Sequence, residues 1–345
     1  MRRWSRRPEG ANWGEFGDDD ALGRVNLLTP EKVLQAVAEV REGVSFCLSL
    51  PLDYPGKSAL NPRRFPPQIQ YSMRGDDPAM CYPLARLNPG QTDVVCDDRV
   101  TLSTQYSTQW DSLAHMGALF DADGDGQDEV VFYNGYRAGE HVRGPRDYLD
   151  GDRELPPPYG AGPLGIDALA AACMQGRGVL VDLHAHYGKR REAIGYEALM
   201  QVLEADGVSV EPGDILCLRT GFDRVLLDAE RDPPEGIQHE VCTGLDGSDP
   251  KLLQWITDSG VAAILADNEA VEFLPTPNPP AGRGAHFPLH EHCLFKLGVP
   301  LGELFLLSDL ADWLRAAGRY RFLLTAPPLR LPGAVGSPVS AVATV

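Results

Sequence analysis

Between Gln105 and His115 the chain reads Gln-Tyr-Ser-Thr-Gln-Trp-Asp-Ser-Leu-Ala-His, placing polar side chains at 105, 109, 111 and 115. Side chains at these offsets after a strand can surround one small volume if the chain turns there. Asp111 is a hard anionic ligand, and His115 can ligate a cation or move a proton. The stretch therefore suits a metal centre with Gln105, Gln109, Asp111 and His115 as ligands, or an acid/base cluster. A hydrogen-bonded structural Asp–His pair beside Trp110 is the third reading of the same residues.

Other groups offer chemistry of their own. Asp121, Asp123 and Asp125, followed by Gly126, match the opening of a calcium loop, but position 12 is Phe132 where a bidentate Glu is required. A solvated acidic turn accounts for the same residues. His184 and His186 follow an apolar run and would share a face if it continued as a strand, although a surface turn fits the Tyr-Gly-Lys-Arg that comes next. Arg219 could clamp a carboxylate or close an internal ion pair. Trp13, Trp110 and Tyr133 are candidate walls for an aromatic substrate.

These residues must be positioned by regular elements, and the second half of the chain is well punctuated. Apolar runs at 178–183, 214–219, 261–266 and 322–325 read as buried strands, and helical patterns at 166–175, 196–206, 252–259 and 289–297 lie between them. In the first half, Thr29 and Pro30 open a helix whose apolar face is Val33, Leu34, Val37 and Val40, ending at Gly43. Strands are expected at 44–50 and at 94–102 leading straight into the motif, and 130–135 reads as a strand and a tight turn. Residues 53–89, rich in Pro, Arg and Tyr, read as a long excursion or lid, and 143–163 as loop. Strands alternating with helices imply an α/β fold. No linker divides the chain, so one domain over 1–345 is expected, with an N-terminal extension over 1–28.

Composition narrows the partners. The formal charge of -18 works against nucleic acid or an anionic membrane, which need clustered cations, and a small-molecule substrate fits better. The seven cysteines are scattered without a CxxC pair, which suits reduced thiols in a cytoplasmic protein. The basic N-terminus lacks the apolar run of a signal peptide, and no segment has the length of a membrane span.

The central stretch resembles the His-x-Gly-Thr-His-x-Asp-x-Pro-x-His signature of the cyclase family that includes bacterial kynurenine formamidase and isatin hydrolase. Thr108, Asp111 and His115 match it, while Gln105 and Gln109 stand where the signature has its two histidines, Ser107 at its Gly and Leu113 at its Pro. The resemblance extends over most of the chain in the expected order. It takes in Asn12-Trp13-Gly14, Asp19-Asp20-Ala-Leu-Gly23 and Asn26 to Pro30 near the start, then Gly176 to Asp182, Pro212-Gly213-Asp214 and Arg219-Thr220-Gly221. The blocks Ala266 to Glu272, Pro288-Leu289-His290 and Gly298 to Glu303 complete it.

The resemblance implies the family's swivelling β/β/α domain, with a mixed sheet, flanking helices and long loops. It also implies a hydrolase of a C–N bond in a cyclic amide or formamide. In metal-dependent members two histidines and the aspartate hold zinc or manganese, and the last histidine handles protons. His290 and Glu303 fall at or near the positions that complete the site, with His292 an alternative to His290. His115 is then the general acid/base, Asp111 a ligand or orienter, and Gln105 and Gln109 oxygen ligands or donors to a carbonyl. Two amides in place of two imidazoles shift preference from zinc toward harder ions such as manganese or magnesium, or leave a metal-free acid/base cluster. A non-hydrolytic cyclase or dehydratase and an inert small-molecule-binding homologue are the alternative functions. A homo-oligomer, dimer or tetramer, is implied as well.

Overall fold

The computed structural model describes residues 2–345. Its frame is a curled mixed sheet of nine strands: β1 (Ser45–Cys47), β2 (Gln109–Asp111), β3 (Gln175–Asp182), β4 (Ile215–Arg219), β5 (Ala263–Ala266), β6 (Leu301–Glu303), β7 (Arg321–Thr325), β8 (Gly336–Pro338) and β9 (Val342–Thr344). Across the sheet they run β1-β9-β7-β3-β4-β5-β6-β2-β8. The inner strands β3, β4, β5 and β6 are parallel, and every other pairing is antiparallel.

The parallel strands form from near-continuous apolar runs because both of their faces are covered. Side chains alternate along a strand, so Val181, Leu216, Leu218, Ile264 and Ala266 meet Leu199 and Val202 of the helix Tyr196–Asp206 and Leu252 and Ile256 of the helix Pro250–Ser259. The intervening Leu180, Ile215, Cys217, Ala263 and Leu265 pack on the other face with Ile166 and Leu169 of Ile166–Ala171 and Leu310 and Leu314 of Ser308–Ala316.

The first helix, Pro30–Val37, is capped by Thr29, whose Oγ1 accepts from the Lys32 amide at 3.3 Å. Its expected apolar face is a correction. Leu34 and Val37 are 68% and 49% exposed, and Lys32 and Ala36 are the buried residues. Lys32 is drawn inward by Asp214, which its Nζ meets at 3.0 Å and which also accepts from Arg177 Nε at 2.8 Å.

The strand expected over 94–102 is also corrected. Val94–Val95 pairs with Tyr82–Pro83, and Asp98–Thr101 with Gln68–Tyr71, outside the central sheet. Together with the Met73–Arg74 and Asp77–Pro78 pair they turn the expected excursion into an exposed arm of short hairpins. The arm's base is closed where the Phe65 amide donates to Ser103 Oγ at 2.8 Å.

The N-terminal residues lie across the far end of the segment Pro288–Leu297. Trp13 is fully buried, edge-on to Phe295 at 5.2 Å, and its Nε1 donates to the Phe295 carbonyl at 2.9 Å. Gly23 packs so closely that a Cβ there would lie 2.2 Å from the Gly298 oxygen, which receives the Arg24 amide at 2.8 Å. Among the described residues no helix is long and apolar enough to cross a membrane.

Candidate functional site

The stretch from Gln105 to His115 enters the sheet directly. β2 lies between β6 and β8, with Gln109 opposite Glu303 and Asp111 opposite Gly336. The pleat sends Gln109 and Asp111 to one face and Trp110 to the other. Thr108 ties this segment to its neighbours, its Oγ1 donating to the Leu304 carbonyl at 2.5 Å and accepting the Leu50 amide at 2.9 Å.

On the polar face, Gln105 Nε2 donates to Asp111 Oδ1 and to His115 Nδ1, the latter at 2.9 Å. An amide proton at Nδ1 places the ring proton on Nε2, which has Asp111 Oδ2 as its carboxylate neighbour at 3.8 Å. Gln109 Nε2 donates to Glu303 Oε2 at 2.8 Å. The two glutamines therefore present N–H groups to the carboxylates of the cluster.

His290 comes from another part of the chain. The expected helix over 289–297 starts as an α-turn at Pro288–His290 and continues as π-helix over Glu291–Leu297, a form that re-aims side chains and recurs at functional sites. His290 Nδ1 donates to Glu272 Oε1 at 2.6 Å, and its Nε2 is 3.4 Å from Glu303 Oε1. Burial alone would lower its proton affinity, but the carboxylates of Glu272 and Glu303 overcome this and raise its pKa to about 10. Against the pull of its own burial, Glu303 is held low by His290 and Arg64, whose Nη1 is 3.7 Å away. Burial raises Asp111, with His115 opposing it.

Above this cluster is a cavity of about 340 Å³ reached by His115, His290, Glu303, Glu269 and Arg64, with Phe287 and Met116 among its apolar walls. Glu269 is pushed up to about 8 by burial and by the field of Glu303.

The family model described as "Putative cyclase" matches residues 47–272. The chain belongs to the cyclase family. A crystal structure titled as a novel cyclase is 31% identical, covers 98% of this chain and 100% of its own, and superposes with a TM-score of 0.74. Isatin hydrolase A from Ralstonia solanacearum shares the fold at 15% identity, covering 91% of this chain and 97% of its own with a TM-score of 0.53. An isatin hydrolase bound to the product analogue thioisatinate gives 12% identity, 92% and 99% coverage and a TM-score of 0.54. No curated protein matches the chain significantly.

Within this cyclase-family fold, Asp111, His115 and His290 each bring a ligand atom within 4.8 Å of the others, a spacing that could hold a metal ion. Asp111 Oδ2 and Gln109 Oε1 are buried oxygens without a hydrogen-bond partner, which a cation would satisfy. His290 donates Nδ1–H to Glu272, as metal-ligating imidazoles commonly do to a carboxylate. On these observations the residues fit a divalent cation that takes the place of the His290 Nε2 proton.

Other candidates fall elsewhere. His292 Nε2 contacts Thr257 Oγ1 at 2.9 Å, away from the cluster. Trp110 and Tyr133 are corrections as substrate walls, being fully buried with their polar atoms satisfied by the Ala326 carbonyl at 2.9 Å and Asp20 Oδ2 at 3.1 Å. Trp13 is likewise committed to Phe295, because each ring lies on the side of its element that faces the core. His184 and His186 sit on a helical turn, Leu183–Tyr187, where His184 Nδ1 contacts the Thr220 carbonyl at 3.2 Å and His186 Nε2 contacts Asp206 at 3.0 Å. Arg219 closes an internal ion pair with Asp182 at 3.1 Å.

Asp121, Asp123 and Asp125 lie in the turn between strands Ala118–Phe120 and Glu129–Val131, which pair antiparallel. Their oxygens approach within 4.8 Å, but Arg6 is seated on Asp121 Oδ2 at 2.6 Å, and the Gly124 amide donates to Asp121 Oδ1 at 2.7 Å.

Sequence reading missed Arg64, Glu269 and Glu272 as site residues. Glu269 and Glu272 lie in the block Ala266 to Glu272, but no local spacing ties them to the motif. Arg64 has no signal beyond its place before the arm.

Proposed function

We propose that this chain hydrolyses a C–N bond of a cyclic amide or formamide, with His115 handling protons at the substrate. The convergence of His115, His290, Glu303 and Glu269 on one cavity carries this reading, since the cavity has the size of a small-molecule site. The family membership and the isatin hydrolases of the same fold support a cyclic amide as the substrate class. Phe287 and Met116 suit an aromatic ring. Organisation as one domain over 1–345 and self-association belong to the same proposal.

A divalent ion held by Asp111 and His290, with His115 kept for proton transfer, would polarise the carbonyl and acidify a water. The protein's own groups divide the proton work. Glu303, kept ionised beside His290 and Arg64, accepts a proton from the attacking water. Gln105 fixes the tautomer that keeps the His115 proton on Nε2, where it is offered to the carbonyl oxygen or the departing nitrogen. Asp111 lies behind and holds Gln105 in place. Glu269, protonated up to about pH 8, supplies a second proton from the same cavity.

The test is a screen of lactams and arylformamides on wild type and His115→Ala, with bound metal quantified and manganese, magnesium or zinc supplied in separate arms. Turnover by wild type, lowered roughly 10²–10⁴-fold in His115→Ala, is expected for loss of acid/base catalysis. Absence of turnover by wild type in every arm would overturn the proposal.

A further inference from the structure

The exposed arm brings together two cysteines that are 15 residues apart in the sequence. In the pair Tyr82–Pro83 with Val94–Val95, Tyr82 is opposite Val95. Cys81 and Cys96 lie just beyond the ends of the two strands, Cys81 with a positive φ of 52°. The Cys81 amide donates to Cys96 Sγ at 3.1 Å, and the two sulfurs are 4.0 Å apart. Both residues are exposed.

The other five cysteines differ. Cys217, Cys242 and Cys293 are buried. Cys47 and Cys173 are exposed, but their sulfurs face Ser49 and the Ala171 carbonyl, with no thiol beside them among the described residues. The scattered spacing of the sequence thus conceals one spatial pair.

We propose that Cys81 and Cys96 form a reversible disulfide that staples the arm. The oxidant is a low-molecular-weight disulfide such as oxidised glutathione. The thiolate of one cysteine attacks a glutathione sulfur, forming a mixed disulfide and releasing one glutathione thiolate. The second cysteine then attacks the protein-bound sulfur and displaces the second glutathione. Two protein thiols are oxidised, one glutathione disulfide is reduced to two thiols, and the two protons pass to the departing glutathiones. The strands joined by this link lead down to Arg64 on one side and Gln105 on the other, so the staple acts on the segment rooted at the candidate site.

Folded full-length protein is incubated with oxidised glutathione, free thiols are trapped with iodoacetamide, and a proteolytic digest is read by mass spectrometry. The expected product is a Cys81–Cys96 cross-linked peptide that disappears after dithiothreitol. In Cys81→Ser the expected product is a persistent glutathione adduct at Cys96, while Cys47→Ser retains the cross-link. Wild type that carries stable adducts on both cysteines, or alkylated thiols at both, would overturn the proposal. So would an unchanged cross-link yield at other cysteines in Cys81→Ser.

Discussion

At the scale of the residue, the two glutamines set the character of the site. Their amides place N–H groups on Asp111 and Glu303. An amide offers a cation only a neutral oxygen, a weaker zinc donor than imidazole. Gln105→His with Gln109→His is therefore expected to raise zinc affinity at least tenfold, measured by competition with a chromogenic chelator on protein shown folded by circular dichroism. Unchanged zinc affinity would mean that these positions do not face the cation. Glu269 gives a pH prediction whose sign follows from its role as acid. It must be protonated to donate, and burial carries it up to about 8. kcat/KM on a hydrolysed substrate should fall as pH rises through about 8, and Glu269→Gln should lose that alkaline limb along with part of the rate. Asp111 and His115 were legible because they lie four residues apart in one short segment. Glu303 and His290 were reached only through the resemblance, since their approach to Gln109 and Asp111 depends on strand pairing and on a π-helix. The aromatic walls failed for a simpler reason. Composition shows that a ring is present but not which face of β2 carries it.

At the scale of the element, the first helix shows how a charge can override an apolar pattern. Asp214 is wholly buried and accepts from Lys32 Nζ, Arg177 Nε and the Glu211 amide at 3.0, 2.8 and 2.8 Å. Removing it leaves two buried cations, Lys32 and Arg177, with Glu211 as their remaining carboxylate at 3.8 and 2.7 Å. Asp214→Ala is expected to cost about 3–5 kcal/mol, the scale of a broken buried pair. Urea unfolding followed by circular dichroism would measure it, and a loss below about 1 kcal/mol would show that the cations find other partners. Helical periodicity at 30–37 identified the helix and its cap but assigned the wrong face, because pattern alone does not reveal a carboxylate contributed from residue 214. The arm was misread in a related way. Val94, Val95 and Val100 read as strand, as they are, but local sequence cannot say whether a strand joins the main sheet or a hairpin beside it.

At the scale of the whole molecule, the C-terminal strands finish both sides of the sheet. β1 pairs with β9, and β8 completes the far edge against the motif strand β2. That edge contact reaches the chemistry through one glycine. A Cβ on Gly336 would lie 2.5 Å from Gln105 Cγ and 2.8 Å from its Cδ, so the bare backbone there gives Gln105 its room. Gln105 in turn fixes the orientation of Asp111 and the tautomer of His115. Gly336→Ala should therefore push Gln105 out of this bridge without touching substrate or the cavity itself. The expected result is a fold retained by circular dichroism, a kcat lowered by roughly tenfold or more, consistent with a misplacement of catalytic groups, and an altered His115 imidazole signal in NMR. A Gly336→Ala protein with unchanged kcat and an unchanged His115 signal would show that β8 closes the sheet without positioning the site.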